Sequence, residues 1–407
     1  MKKFDIPTYY QSSIISKIKE IRYLKDPRKI DNSPTRLDFG PVIFYVARHF
    51  GFCYGVKNAI DIAYKTINEN PKKRIYLLSE MIHNPNVNAD LQGMNVKFIM
   101  DTSGNQIIPW EQLTKEDIVI IPAFGTTLEI ENKLNEIGID PYKYDTTCPF
   151  VEKVWNRSSQ LGDEESTVII HGKNTHEETR ATFSHSIKNA PSLIVRDLKE
   201  TEFLVSVILK EKKEEDFYEY FKGKYSKSFD VSKDLQKIGV VNQTTMLASE
   251  TSAIATLLKG TMIKKYGQEE IEKHFVDTRD TLCYATNDNQ NATYTLLKQK
   301  ADFAIVVGGY NSSNTGHIVE LCNEKIKTYF ISDSNKIIDK KNISHFDLKN
   351  KNEVLTENYL PEKEKIEILL TSGASCPDAE VDRVMLKLLA MFDNTNNIDG
   401  VVKQIAN

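Results

Sequence analysis

The chain has 407 residues, of which 40% are hydrophobic and 27% are charged, which is typical of a globular protein with two or three domains. The formal net charge of -4 excludes a general electrostatic attraction to nucleic acid or to an anionic membrane. No apolar run approaches the length of a membrane span, and the N-terminus lacks the apolar core of a secretory signal, so we expect a cytoplasmic protein.

Short apolar runs alternate with amphipathic segments along the chain, which predicts an α/β fold with parallel sheets covered on both faces. The predicted strands fall into three sets. The first set comprises 42–47, 74–78, 96–100 and 118–121, the second 168–171, 193–195 and 238–241, and the third 303–307, 328–331 and 366–370. Helices are expected between them, for example at 56–67, 151–161, 249–263 and 379–391.

This grouping predicts a division of the chain into five segments. They are an N-terminal extension (1–41), a first α/β unit (42–147), a second unit (148–282), a third unit (283–394) and a C-terminal tail (395–407). Residues 199–236 of the second unit are highly charged and aromatic, and we interpret them as an excursion from its core.

Three of the five cysteines lie where an apolar segment ends and a helix is predicted to begin, namely Cys53, Cys148 and Cys283. An odd number of cysteines in a large intracellular chain argues against a disulfide framework. Ligands bind beyond the carboxyl ends of parallel strands, and helix N-termini favour thiolate over thiol, so these three are candidate ligands of one metal centre. An isolated cysteine is more often a small core residue, which is our interpretation of Cys322, whereas Cys376 follows Ser375 in a Gly-containing turn and both interpretations stay open for it.

The cysteine spacing favours iron and sulfur over zinc. Structural zinc sites usually have four ligands, often in close CxxC pairs, and the sequence contains no such pair. Three thiolates can hold a [4Fe–4S] cluster and leave one iron open for a substrate.

A second group of motifs is polar and again follows predicted strands. It comprises residues 83–84 (HN), 171–178 (HGKNTHEE), 243–245 (QTT), 311–314 (NSSN) and 372–375 (SGAS). Histidines, hydroxyls and amides at helix N-termini suit an anion such as phosphate, although neither a P-loop nor a dinucleotide fingerprint is present. Ordinary caps and turns use the same residue types, so the pattern alone leaves both interpretations open.

Taken together and in this order, the motifs resemble those of the LytB/IspH family of 4-hydroxy-3-methylbut-2-enyl diphosphate reductases. The matching segments are 51–56 (GFCYGV), 83–84, 147–149 (TCP), 176–178 (HEE), 243–245, 283–286 (CYAT), 311–314 and 373–375 (GAS). The resemblance implies three small parallel-sheet α/β units arranged around a central [4Fe–4S] cluster held by Cys53, Cys148 and Cys283. It also implies reductive removal of the hydroxyl group of an allylic diphosphate, giving isopentenyl and dimethylallyl diphosphate in the last step of the non-mevalonate pathway.

The resemblance further implies a role for individual residues. Glu178 matches the acid that protonates the departing hydroxyl, and Thr244 would lie near that end of the substrate. The residues expected to bind the diphosphate or position the substrate are His83, His176, Ser312, Ser313, Asn314 and Ser375. The chain has no flavin or nicotinamide fingerprint, so a ferredoxin or flavodoxin is expected as the electron donor.

One position departs from the common family pattern. Phe124 stands where the family commonly has a second histidine on the diphosphate side, a version that resembles the plant and cyanobacterial branch. Phenylalanine supplies neither a hydrogen bond nor a charge, and we hypothesise that Thr126 or Thr127 compensates.

Two other classes of protein stay open at this point. A quinolinate synthase-like enzyme would also use an open-faced cluster on a small anionic substrate, but it would need carboxylate-binding groups and would not require Glu178. A non-enzymatic iron–sulfur sensor would be expected to carry a DNA-binding element, and the sequence shows neither a basic stripe nor a helix-turn-helix signature.

Overall fold

The computed structural model describes residues 4–278 and 281–406. The strands of these residues are β1 (Thr35–Asp38), β2 (Val42–Val46), β3 (Ile75–Leu77), β4 (Lys97–Phe98), β5 (Ile118–Ile120), β6 (Thr167–His171), β7 (Ser192–Val195), β8 (Ile238–Asn242), β9 (Phe275–Val276), β10 (Phe303–Val307), β11 (Thr328–Ile331), β12 (Asn342–Asp347), β13 (Asn352–Glu357) and β14 (Ile366–Ser372).

The helices, in chain order, are α1 (Ile15–Lys25), α2 (Tyr54–Glu69), α3 (Pro85–Gly93), α4 (Leu128–Ile137), α5 (Pro149–Asp163), α6 (Glu177–Ile187), α7 (Leu198–Ile208), α8 (Glu214–Tyr220), α9 (Val231–Asp234), α10 (Ala248–Tyr266), α11 (Ile271–His274), α12 (Tyr284–Leu296), α13 (Ser313–Asn323), α14 (Asp378–Leu389) and α15 (Ile398–Ala406). No helix of the described ranges is both long enough and apolar enough to cross a membrane.

The strands form three α/β sheets and one hairpin. The sheets have the orders β1-β2-β14-β10-β11, β4-β3-β5 and β7-β6-β8-β9, and the antiparallel hairpin is β12-β13. Every pairing in the three sheets is parallel except that of the edge strand β1 with β2. The predicted α/β class with parallel sheets is therefore confirmed.

The chain divides into two compact units. Unit 1 comprises residues 4–61, Ile82–Ala89 and 284–406, and unit 2 comprises Ile62–Met81 together with the described part of Asp90–Cys283. Unit 1 holds the five-stranded sheet and unit 2 holds the three- and four-stranded sheets.

The core of unit 1 is built on the two central parallel strands β14 and β10, of which all five residues of β10 are buried. Residues from both ends of the chain pack into the same core, including Ile15 of α1 and Val401 of α15. The segments predicted as an N-terminal extension and a C-terminal tail thus contribute buried apolar surface, which stabilises the folded state in proportion to the area removed from water.

Strand β2 lies in a different sheet from the one that its place in the sequence suggested. It pairs in parallel with β14, with Val42 opposite Ile366, rather than with β3 or β5. The apolar run identifies a buried strand, but it carries no information about which neighbour supplies the hydrogen bonds. The predicted division of the chain into five segments otherwise stays a prediction.

The charged segment 199–236 is not simply an excursion from the core. Its aromatic residues Phe217, Phe221 and Phe229 are at most 5% exposed and belong to one hydrophobic cluster with Ile169 of β6 and Val240 of β8. The charged residues of α8 lie on the solvent side, while the phenylalanines cover one face of the four-stranded sheet.

Candidate active site

Each of the three candidate cysteines stands immediately before a helix. Cys53 precedes α2, Cys148 is the N-cap residue of α5, and Cys283 precedes α12. All three are partly exposed, whereas Cys322 and Cys376 are fully buried. The predicted placement at helix starts is confirmed, and the role of the three residues as ligands stays a prediction.

The surroundings of the thiol groups also differ between the partly exposed Cys53 and the fully buried Cys322. Burial raises the pKa of the Cys53 thiol, but the backbone N–H groups of Val56 and Gly55 form hydrogen bonds to it that act in the opposite direction. Burial raises the pKa of Cys322 to about 12, and nothing opposes it. The pKa of both thiols is thus raised, and Cys53 differs from Cys322 in having backbone N–H groups that stabilise its thiolate form.

The described ranges contain no group of three or more His, Cys, Asp or Glu side chains that could hold one metal ion. Ligation of a cluster is a different requirement, because each thiolate of a [4Fe–4S] centre binds its own iron. Three partly exposed cysteines at helix N-termini have the donor chemistry that such a cluster needs.

Four of the predicted substrate-binding residues of unit 1 form one polar cluster, which also contains Asn84. Ser375 Oγ donates to the carbonyl of His83 at 3.1 Å and lies 3.4 Å from Ser312 Oγ. Asn84 Nδ2 donates to the carbonyl of Ser375 at 2.9 Å, and Asn314 Oδ1 accepts from the N–H of Ala374 at 2.9 Å. The segments predicted from motifs 83–84, 311–314 and 373–375 are therefore brought together.

Two hydrogen-bond donors of this cluster have no partner among residues 4–278 and 281–406. They are Ser313 Oγ and Asn314 Nδ2, which are buried in the first turn of α13. Ser312 is the N-cap of the same helix, and its Oγ accepts from the N–H of Thr315. Unpaired donors at the positive end of a helix suit an anionic ligand, because they would otherwise carry a desolvation penalty.

The loop that carries Cys53 is attached to this polar cluster. The N–H of Cys53 donates to the carbonyl of Ala374 at 3.2 Å, one residue before Ser375. The N–H of Tyr54 donates to the hydroxyl of Tyr284 at 3.1 Å. The predicted metal ligand Cys53 is thus hydrogen-bonded to the backbone segment 374–375, which also belongs to the polar cluster.

The second cluster lies in unit 2 and centres on Glu178, which is 1% exposed. Its Oε1 accepts from the N–H of Thr244 at 2.5 Å, and its Oε2 accepts from Thr244 Oγ1 at 3.0 Å. The carbonyl of Thr244 in turn accepts from the N–H of Cys283 at 3.3 Å. The predicted acid is therefore connected to a predicted cluster ligand through a single residue.

His176 is the N-cap residue of α6, where its Nδ1 accepts from the N–H of Glu178 at 3.2 Å. In the neutral ring this contact leaves the proton on Nε2. The ring also packs edge to face on Phe124, with a centroid separation of 5.6 Å. Phe124 stands where the family commonly has a histidine, and its ring packs against His176.

Sequence reasoning missed the side chain that positions Thr244. Gln243 Oε1 accepts from Thr179 Oγ1 at 3.0 Å and from the N–H of Lys173 at 3.2 Å, and its Nε2 donates to Thr245 Oγ1 at 2.7 Å. The Gln-Thr-Thr motif pointed to this segment. No signal in the sequence pointed to Thr179, or to Ser79, whose hydroxyl donates to Glu177.

A model of the LytB protein family matches residues 44–389. The chain belongs to the LytB family. Curated relatives of this LytB chain include the 4-hydroxy-3-methylbut-2-enyl diphosphate reductases of Rippkaea orientalis and Prochlorococcus marinus. The first is 40% identical over 384 residues, which is 94% of this chain and 90% of the relative. The second is 39% identical over 393 residues, which is 96% of this chain and 92% of the relative.

A solved structure also resembles this LytB chain. The E-1-hydroxy-2-methyl-but-2-enyl-4-diphosphate reductase from Plasmodium falciparum matches with a TM-score of 0.59 and 22% identity, covering 85% of this chain and 87% of that one. This similarity shows a shared fold. The family match favours the LytB family over the quinolinate synthase-like enzyme and the iron–sulfur sensor.

Proposed function

We propose that this LytB-family chain catalyses the reductive dehydroxylation of 4-hydroxy-3-methylbut-2-enyl diphosphate. The products are isopentenyl and dimethylallyl diphosphate. The observation that carries the proposal is the buried carboxyl group of Glu178, held by Thr244, whose carbonyl accepts from the N–H of Cys283. The proposal is supported by this link through Thr244 between the proposed acid and a proposed cluster ligand, and by curated relatives that are named as reductases of this substrate.

The residues of the chain fit the [4Fe–4S] cluster that this chemistry needs. Cys53, Cys148 and Cys283 would hold it, because they are the three partly exposed cysteines and each begins a helix. The cluster, when bound, supplies electrons and an open Lewis-acidic iron. Cys322 and Cys376 take no part, since both are enclosed in the core of unit 1.

Removal of the hydroxyl group requires two electrons and two protons, because a carbon–hydrogen bond replaces the carbon–oxygen bond and the oxygen leaves as water. Hydroxide is a poor leaving group, so a proton must reach the oxygen as the carbon–oxygen bond breaks. Glu178 supplies that proton from a side chain that is almost wholly shielded from water. Thr244 holds both carboxyl oxygens, and it thereby sets the direction in which the proton can move.

The diphosphate end of the substrate binds to the polar cluster of unit 1. Ser313 Oγ and Asn314 Nδ2 offer buried hydrogen-bond donors, and the N-terminus of α13 adds the favourable field of a helix dipole. Ser312, Ser375 and His83 form the hydrogen-bonded frame beside these donors. His176 is a further proposed substrate-binding residue, with its Nε2 as the donor.

Thr126 or Thr127 is proposed to supply the hydrogen bond that Phe124 cannot form. Both line a cavity of about 250 Å³ in unit 2, together with Glu177 and Arg180. Replacing both threonines by valine should raise the KM for the substrate at least about tenfold, since one lost hydrogen bond to a charged group contributes about 1.5–3 kcal/mol. An unchanged KM in the double variant would remove the two threonines from the substrate site.

The test of the function is turnover by anaerobically prepared protein. Substrate and a chemical reductant should yield both five-carbon diphosphates, and Glu178→Gln should lower kcat by at least about a hundredfold, as expected for loss of general acid catalysis. Glu200→Gln is the matched control, because it changes another buried carboxyl group of unit 2, which accepts from Lys224 and from the N–H of Arg196. Absence of product, or equal activity of the Glu178→Gln variant, would refute the proposal.

The electron donor is proposed to be a separate protein of the ferredoxin or flavodoxin type, because the chain carries no flavin or nicotinamide motif. The cytoplasmic location expected from the sequence stays a prediction.

A further inference from the structure

Unit 1 contains a cavity of about 260 Å³ that the proposed reaction leaves unused. Cys53 lies in its wall, and so do the basic residues Lys19, Lys29, Arg48 and Lys57. Asp288 is the one carboxylate among the lining residues. With the ion-pair partners Asp378 and Asp26 counted as well, four cations face three carboxylates, so the wall keeps a small excess of positive charge.

The excess positive charge lies on Lys29 and Lys57, because the other two cations are paired with carboxylates. Lys19 forms an ion pair with Asp378 at 2.7 Å, but no Asp or Glu of the described chain lies within ion-pair distance of Lys29 or Lys57. Arg48, with a side chain only 5% exposed, is 3.9 Å from Asp26. Its Nε has no hydrogen-bond partner among residues 4–278 and 281–406.

The rim of the cavity carries exposed aromatic rings. Tyr23 is 45% exposed and Tyr284 is 38% exposed, and both line the cavity. Leu24 and Ile30, which directly follow Tyr23 and Lys29 in the chain, are 73% and 74% exposed. Exposed tyrosines beside cationic side chains are the composition of a protein–protein contact rather than of a closed small-molecule pocket.

We propose that this basic face, formed by Lys19, Tyr23, Lys29, Arg48, Lys57 and Tyr284, docks a small acidic protein that carries single electrons. The inference rests on the proposed function, in which each turnover consumes two electrons and therefore oxidises two one-electron carriers. Charge complementarity selects an acidic partner, and transient redox contacts are small, burying less than about 1,200 Å². A carrier seated on this face lies next to the loop of Cys53.

Three of the six residues precede the segment that matches the family model. Lys19, Tyr23 and Lys29 belong to residues before 44, where that match begins. Lys19 and Tyr23 are placed by α1, whose buried residues Ile15 and Ile18 anchor it to the core of unit 1. The N-terminal segment thus has a function under this proposal, namely to build part of the docking face.

The experiment measures binding of an acidic plant-type [2Fe–2S] ferredoxin to the anaerobically purified holoprotein by calorimetry. The double variant Lys29→Glu/Lys57→Glu is compared with wild type and with Lys72→Glu, an exposed turn residue of unit 2 with the same change of charge. Titrations at about 0.01 M and about 1 M salt span Debye lengths of about 30 Å and 3 Å. Iron and sulfide contents confirm that each variant holds its cluster.

The double variant should raise the Kd for ferredoxin at least about tenfold at low salt, whereas Lys72→Glu should change it less than about twofold. High salt should weaken binding of the wild type and remove most of the difference. Turnover driven by dithionite should be equal in all three proteins, and turnover driven by limiting ferredoxin should fall only in the double variant.

Equal ferredoxin affinity in wild type and double variant would overturn the docking proposal. It would also be overturned if inorganic phosphate bound in a manner that depends on Lys29 and Lys57 while ferredoxin did not bind, because the cavity would then be a small-anion site. Failure of the proposed function has a different signature, since wild-type protein would then yield no product with dithionite whatever its affinity for ferredoxin.

Discussion

Thr244 and Glu178 are joined by two hydrogen bonds, one from the backbone N–H at 2.5 Å and one from the side-chain hydroxyl at 3.0 Å. The two bonds go to different carboxyl oxygens, so they define the plane of the carboxyl group. The backbone of Thr244 is itself attached to Cys283. An acid that must protonate one particular oxygen needs this kind of fixed orientation.

Thr244→Val removes the hydroxyl donor to Glu178 and retains the backbone N–H. We expect kcat to fall about tenfold or more, because a hydrogen bond to a charged group contributes about 1.5–3 kcal/mol. Thr244→Ser keeps the donor and should retain most of the activity. Steady-state kinetics measure the effect, and equal kcat for valine and serine variants would show that the hydroxyl bond is dispensable.

The three predicted ligands can be tested without turnover. Replacing Cys53, Cys148 or Cys283 by serine should abolish or severely reduce the iron and sulfide bound per chain and the visible absorption of the cluster. Cys322→Ala and Cys376→Ala are the matched controls and should bind wild-type amounts, at a cost of about 1 kcal/mol in the free energy of unfolding. Full iron loading of any of the serine variants would contradict its assignment as a ligand.

Gly309 permits the close approach of the His83 loop. A Cβ atom at position 309 would lie 2.3 Å from the carbonyl oxygen of His83, so Gly309→Ala must displace this backbone. Since that carbonyl accepts from Ser375, we expect a loss of at least about 2 kcal/mol in the free energy of unfolding and a higher KM.

Gly316→Ala provides the control for this substitution. Gly316 lies within α13, and a Cβ atom there would meet nothing within 4 Å. Alanine is favoured over glycine in a helix by about 1 kcal/mol, so this variant should be neutral or more stable. Urea unfolding distinguishes the two variants, and equal stability would show that the His83 loop adapts freely.

His49 makes the stability of unit 1 depend on pH. Burial lowers its pKa from 6.5 to about 4, with a further contribution from the positive charge of Arg48 and an opposing one from Asp288. Between pH 6.5 and pH 4 the unfolded chain therefore binds a proton that the folded chain does not, so this contribution to stability is lost as the pH falls.

His49→Gln cannot titrate, and it should lose less stability than wild type between pH 7 and about pH 4.5. Urea unfolding at several pH values checks this expectation. Parallel curves for the two proteins would show that His49 is accessible to protons in the folded state.

The sequence predicted the α/β class, the position of the three cysteines at helix starts and the assembly of motifs 83–84, 311–314 and 373–375. The first two rest on local chemistry, because apolar runs and capping residues act over a few positions, whereas the grouping of the three motifs rests on the resemblance to the family. The pairing of β2 with β14 was not predictable, since hydrogen-bond partners far apart in the chain leave no trace in either segment.

The same limit applies to side chains. Phe217 and Phe221 lie among charged residues, yet they are buried in the core of unit 2, because the period of the helix turns them away from solvent. Gln243 stood in a recognisable motif, but its contacts with Thr179 and Lys173 depend on the folded arrangement of three separate segments.

The pairing of β2 with β14 has a consequence for how the protein is made. Val46 and its partner Leu370 are separated by most of the chain, and Cys53 follows directly from β2. At a synthesis rate of 5–20 residues per second, the ribosome needs roughly 15–60 s to supply the missing strand. During this interval β2 lacks the strand with which it pairs in the folded protein. The sheet that precedes Cys53 is therefore completed late in synthesis, and a cluster held by Cys53, as proposed, would be inserted only after that point.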